Sequence, residues 1–294
     1  MRIDARGVAI EVDDRGPRAG PALLMIMGLG MQLTGWPDEF ADLLAARGFR
    51  VVRFDNRDAG LSQGFDERGT PNLALAGIRY ALHLNVPTAY TLADMAGDAL
   101  GVLDALGIAQ AHVCGASMGG MIAQHLAALH PDRVRSLTLM MSTSGARHLP
   151  QPSARVRRVL LGRPDGRDRD AVVRHLQRVF AVIGSPAYRP DAALLASRLR
   201  ATVERAWRPA GIARQICAVM ADGDRRALIR RIVAPSAIIH GADDPLVRIE
   251  AGRELARLIP GATLDEIPGM GHDLPAALWE RFADTITRAS ARHV

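Results

Sequence analysis

Three side-chain types in this chain have the setting for covalent acyl chemistry. Ser117 lies in "GASMGG", where Gly115, Ser117 and Gly119 match G-x-S-x-G. A serine hydroxyl is a weak nucleophile until a base accepts its proton. Of nine histidines, His272 in "IPGMGHDLP" follows a strand-like stretch through a Gly-Met-Gly turn, which can deliver an imidazole to the rim of a sheet. The other histidines considered have plainer settings: His125 and His130 on the helix after the serine, His83 and His175 on lid-like segments, His240 inside an apolar strand, and His293 in the tail. The imidazole in turn needs a carboxylate to hold its tautomer and stabilise its charged form. "IIHGADDPLV" offers Asp243 and Asp244 just past a strand end, whereas "MSTSGAR", after the strand ending near Ser142, contains no acid. Ser117 with His272 and one of the two aspartates would support nucleophilic attack on a carbonyl.

Such groups work only if a sheet brings them to one edge. "PALLMIMG", "FRVVRFDN", "AHVCGAS", "VRSLTLMMS" and "SAIIHG" read as short, nearly continuous apolar strands, suited to a sheet covered on both faces. "VAIEVDD" adds an early strand and "ATLDEIP" a late one. Helical patterns lie between them. "TLADMAGDALGVLDALG" opens with Thr91 and Asp94 in capping-box spacing and stops at Gly107. "MGGMIAQHLAALHP" places Met118, Ile122, Leu126 and Leu129 on one face. This alternation predicts an α/β fold with a mostly parallel central sheet flanked by helices.

Two segments interrupt it. Residues 144–232 carry helical patterns and no convincing strand, so they read as a helical cap inserted between sheet strands. The expected organisation is a core of residues 1–143 and 233–294 with a cap of residues 144–232. The long connection from Gly64 to Tyr90 carries Leu73, Leu75, Ile78, Tyr80 and Leu82, which favours a packed lid or pocket wall. Leu73, Ile78, Tyr80, Leu82, Phe180, Leu194, Leu195, Trp207 and Met220 are either pocket lining or ordinary packing.

Composition narrows the function classes. A chain of 294 residues with 48% apolar content can bury a sizeable core. Cys114 and Cys217 are too few for a disulfide framework and lack metal-ligand spacing. No apolar signal core opens the sequence and no window is long enough to span a bilayer, so a cytoplasmic location is the expectation. Arginine supplies all 37 basic side chains. Between Ser144 and Arg230 stand 18 arginines against 7 acids, on a body carrying 19 against 24. With few aromatics interleaved, this reads as solvated helix faces and not as a nucleic-acid surface.

The G-x-S-x-G turn, the later aspartate and the final histidine together resemble the α/β-hydrolase superfamily, across essentially the whole sheet domain. The resemblance implies the chain order Ser, Asp, His, and it favours Asp244, three residues after the glycine of an H-G-x-x-D turn. It also implies an oxyanion hole formed by the N–H groups of Met118 and Leu29, with Met27 where the family commonly has histidine. "DNRDAGLS" is similar to the family's D-x-R-G-x-G-x-S loop, with Asp58 in place of a glycine, and reads as structural. "GWPDEFA", "DNRDAGLS", "ASMGG" and "IPGMGHDLP" resemble the anthracycline methyl-esterase group. The implied activity is hydrolysis of small to medium carboxylic esters without metal or organic cofactor. Carbon–carbon bond hydrolysis, enol-lactone hydrolysis and perhydrolysis are the alternatives within the fold. A ligand receptor without turnover is the alternative outside it.

Overall fold

The sequence's alternation of strand and helix closes into one eight-stranded sheet. A computed structural model of the chain describes residues 1–166 and 168–292, so His293 lies outside the described residues. The strands are β1 (Arg2–Ala5), β2 (Val8–Arg15), β3 (Ala22–Ile26), β4 (Arg50–Phe54), β5 (Ala111–Ala116), β6 (Val134–Met140), β7 (Ser236–Gly241) and β8 (Thr263–Ile267). Their spatial order is β1-β2-β4-β3-β5-β6-β7-β8. β2 pairs antiparallel with β1 and β4, and every later pairing is parallel. β1, four residues at the edge, is an addition to the expected strands.

The helices are α1 (Asp38–Ala46), α2 (Leu73–Ala81), α3 (Leu92–Ala105), α4 (Met118–Leu129), α5 (Ala154–Leu160), α6 (Arg169–Ile183), α7 (Ala192–Arg205), α8 (Pro209–Asp222), α9 (Arg226–Ile229), α10 (Ile249–Leu258) and α11 (Trp279–Ala291). Parallel strands present apolar residues on both faces, and two buried clusters cover them. α3, α4 and α10 pack through Met95, Leu103, Ile122 and Leu255 on one face. α1 and α11 pack through Phe40, Leu44, Phe282 and Ile286 on the other. α3 begins where the sequence predicts, with the reciprocal Thr91–Asp94 box formed, a cap worth about 1 kcal/mol.

Helices α5–α9 fill the segment between β6 and β7. α6 and α7 share a small apolar core of Val172, Val173, Leu199 and Val203, against which Phe180, Leu195 and Trp207 pack. In the Gly64–Tyr90 connection, α2 sets Leu73 and Tyr80 against Cys217 and Met220 of α8. Leu75, Ile78, Leu82 and Leu194 instead face solvent. Cys114 and Cys217 are both free and buried. Among the described residues no helix is long and apolar enough to cross a membrane.

Candidate active site

β5 ends at Ala116 and α4 starts at Met118, leaving a single residue to make the bend. That residue, Ser117, has φ 53° and ψ −118°, a conformation costing on the order of 1–3 kcal/mol for a side chain with a Cβ. Backbone contacts hold it there. Its N–H donates to Met140 O at 2.9 Å, and its carbonyl accepts from the N–H groups of Gly120 and Met121. Ser142 Oγ also donates to that carbonyl, at 2.8 Å. The flanking glycines are required by space. A Cβ on Gly119 would lie 2.0 Å from Ile26 O, and one on Gly115 would lie 2.4 Å from Gly119 O.

The residues singled out from distant parts of the sequence meet at this bend. His272 Nε2 lies 3.0 Å from Ser117 Oγ, and His272 Nδ1 lies 2.7 Å from Asp244 Oδ2. Asp244 is fully buried, and its second oxygen accepts the N–H groups of Leu246 and Val247 at 2.8 Å each. The carboxylate is thus fixed by backbone before it meets the ring. Asp243, its neighbour, turns away and accepts the Gly269 N–H at 2.7 Å.

His240 is buried beneath, its Nε2 donating to Val247 O at 2.7 Å and standing 3.8 Å from Asp244. Burial depresses its pKa, against the opposing pull of the Asp244 carboxylate. His125 pairs with Asp222 at 2.8 Å, and His175 lies buried on α6. Neither joins Ser117.

Gly28 comes close to the serine: a Cβ there would be 3.3 Å from Ser117 Cβ. Leu29 follows it, and Met118 opens α4 on the other side of Ser117. The first N–H groups of a helix have no partner within it and carry partial positive charge, so they favour an oxyanion. Met27 packs its side chain into the core against Gly35, while its carbonyl accepts Asn56 Nδ2 at 2.8 Å. The methionine therefore leaves the turn by its backbone alone.

Asp58 is buried with φ 66°. Arg214 of α8 grips both its carboxylate oxygens at 2.7 Å, and Tyr90 Oη donates to it at 2.7 Å. Burial would raise its pKa, but Arg214 and Tyr90 outweigh that and hold it below the usual carboxylate range. The residue thus ties its loop to α8.

Several contacts had no local signal in the sequence. Gln215 of α8 accepts the Gly30 N–H, and Ser185 Oγ accepts the Gly271 N–H. The His272 N–H donates to Ile183 O at 2.7 Å. Asp273, beside His272, accepts from Ser185, while burial pushes its pKa upward against that hydrogen bond. All depend on how the inserted helices dock.

The family described as the alpha/beta hydrolase fold matches residues 21–275. Over 300 residues the chain is 32% identical to the rhodomycin D methylesterase DauP of Streptomyces sp. (strain C5), covering 94% of this chain and 93% of that protein. It is 31% identical to the rhodomycin D methylesterase DnrP of Streptomyces peucetius, with the same two coverages. Among solved structures, the enol-lactonase from Burkholderia xenovorans LB400 matches with a TM-score of 0.75 at 24% identity, over 99% of this chain and 100% of that one. That likeness is one of fold. The methylesterase resemblance read from four short phrases extends along nearly the whole sequence, and the chain belongs to the alpha/beta hydrolase fold family.

Proposed function

We propose that the protein hydrolyses carboxylic esters through an acyl-enzyme on Ser117, with His272 as the base and Asp244 as its orienting carboxylate. As Ser117 Oγ bonds to the ester carbonyl carbon, its proton passes to His272 Nε2 and the π electrons move to the carbonyl oxygen. The oxyanion is met by the N–H groups of Leu29 and Met118. Collapse expels the alcohol, which takes the proton from His272. Water then repeats the sequence on the acyl-enzyme, releasing the acid. Residues 144–232 act as the cap over this end of the sheet.

The observation that carries this reading is the continuous run of contacts from Ser117 Oγ through the His272 ring to Asp244, at 3.0 and 2.7 Å. A hydroxyl with a base in reach, and that base held by a buried carboxylate, is the arrangement acyl transfer requires. The relatives' names, rhodomycin D methylesterases, make methyl esters of carboxylic acids the first class to test.

Turnover of p-nitrophenyl acetate and butyrate and of a methyl-ester panel, beside a ring-cleavage dienoate and a lactone, tests the proposal. The expected result is ester hydrolysis, abolished by a fluorophosphonate that adds to Ser117. Rapid dienoate cleavage with no turnover of any ester would overturn it in favour of carbon–carbon bond hydrolysis.

A further inference from the structure

We infer that Gln215, carried by α8, is a positioning residue for the oxyanion hole: it pins the turn that presents the Leu29 N–H to Ser117. The inference rests on the ester-hydrolysis reading above and assigns a role within it to the inserted helices.

Residues 28–31 form a tight turn closed by the Met31 N–H donating to Gly28 O at 3.2 Å. Gly30, its third residue, has φ 68°, the left-handed value a type II turn demands there. The Gly28 carbonyl and the Leu29 N–H belong to one trans peptide and point in opposite senses. Holding the carbonyl inward on Met31 therefore directs the Leu29 N–H outward.

The middle peptide of the turn has no strand or helix of its own to lean on. Its Gly30 N–H is accepted by Gln215 Oε1 at 2.8 Å. Gln215 is fully buried, and its Nε2 donates to Arg57 O at 2.8 Å. One side-chain amide thus bridges two core loops 27 residues apart in sequence. The fit is close on the same helix: a Cβ on Gly30 would meet Ile212 at 3.0 Å.

An oxyanion donor must lie about 2.7–3.1 Å from where the charge develops. An apolar residue at 215 would take this partner from the part-buried Gly30 N–H and from the buried Arg57 carbonyl, and the turn would shift to rehydrate them. Displacement on that scale matters little to the ground-state ester and much to the tetrahedral intermediate.

The test compares wild type with Gln215→Met and Gln215→Glu, using p-nitrophenyl butyrate and an alkyl trifluoromethyl ketone. Ser117 Oγ adds to the ketone carbon, its proton goes to His272, and the resulting oxyanion occupies the hole. In Gln215→Met, kcat is expected to fall about 10- to 100-fold, less than the loss of a donor itself, with KM changed less than about twofold. Trifluoromethyl ketone affinity should fall in proportion to kcat/KM. In Gln215→Glu, burial keeps the carboxyl protonated, so it can still accept from Gly30 and donate to Arg57; kcat should return to within about fivefold of wild type.

If Gln215→Met does not fold, Gln215→Asn, which withdraws the amide by one methylene, carries the same expectation as Met. A folded variant with wild-type kcat, or one whose loss is not matched in ketone affinity, overturns the inference. A wild-type Ser117 that no fluorophosphonate labels overturns the hydrolase reading along with it. A labelled wild type beside an unimpaired Gln215→Met enzyme overturns this inference alone.

Discussion

Asp243 and Asp244 are consecutive, yet only Asp244 reaches the His272 ring, at 2.7 Å, while Asp243 accepts the Gly269 N–H on the next turn. Asp244→Asn keeps the shape of the side chain and removes its charge, which favours the wrong tautomer of His272. In proteases with the same constellation this costs about 10⁴ in kcat, and a loss of that order is expected here. Asp243→Asn should change kcat by less than about tenfold, because it acts only through the turn. Steady-state kinetics on p-nitrophenyl butyrate separates the two; equal losses would remove Asp244 from its assigned role.

Glycine is needed at residue 119 because of what lies against it. A Cβ there would sit 2.0 Å from Ile26 O, whereas one at Gly97 on α3 would meet nothing within 4 Å. Gly119→Ala should lower Tm and abolish ester turnover together, since the bend at Ser117 must open to admit the methyl group. Gly97→Ala should leave activity intact and raise stability by about 0.5–1 kcal/mol, the helix-propensity gain of alanine over glycine. Thermal melts of the two variants check both expectations.

The Asp58–Arg214 pair is buried at both ends. Removing one partner of such a pair leaves an uncompensated charge and typically costs about 3–5 kcal/mol. Arg214→Met should therefore destabilise the protein by about that amount in urea unfolding. Adding Asp58→Asn should recover part of the loss. A double variant no more stable than the single would show that Arg214 acts mainly through Asp66 and Gly69, its other partners.

His240 gives a pH dependence with a defined sign. Burial keeps its ring neutral in the folded chain below the ordinary value of 6.5. Between 6.5 and the lower folded value the unfolded chain binds the additional proton, so stability should fall as pH drops through that window and level off below it. His240→Gln, which can still donate to Val247 O, should flatten the slope. Urea titrations at stepped pH measure it.

Ser117 and His272 were legible because glycines mark them: each follows strand-like residues and stands in a turn whose punctuation is local. The strands of the sheet's interior were legible as continuous apolar runs. β1 was not, since four edge residues of mixed exposure carry neither an apolar run nor a clear alternation. The choice of Asp244 over Asp243 rests on the resemblance to an H-G-x-x-D turn and not on periodicity, because a one-residue rotation past a strand end decides which carboxylate faces inward. Gln215 and Ser185 were invisible for a different reason. Their partners, Gly30 and Gly271, are 185 and 86 residues away in the chain, and only docked helices bring them together.

The grip of α8 on the core also sets which of the helices between β6 and β7 can yield. Lifting that helix would strand the Arg214 guanidinium and pull Gly211 from the Asp58 backbone, where a single methyl group would already collide at 2.3 Å. α5 has no ion pair to the sheet domain among the described residues and exposes all three of its arginines, Arg155, Arg157 and Arg158. α8 should therefore be held to the sheet domain more firmly than α5, and be the later of the two to part from it as the chain unfolds.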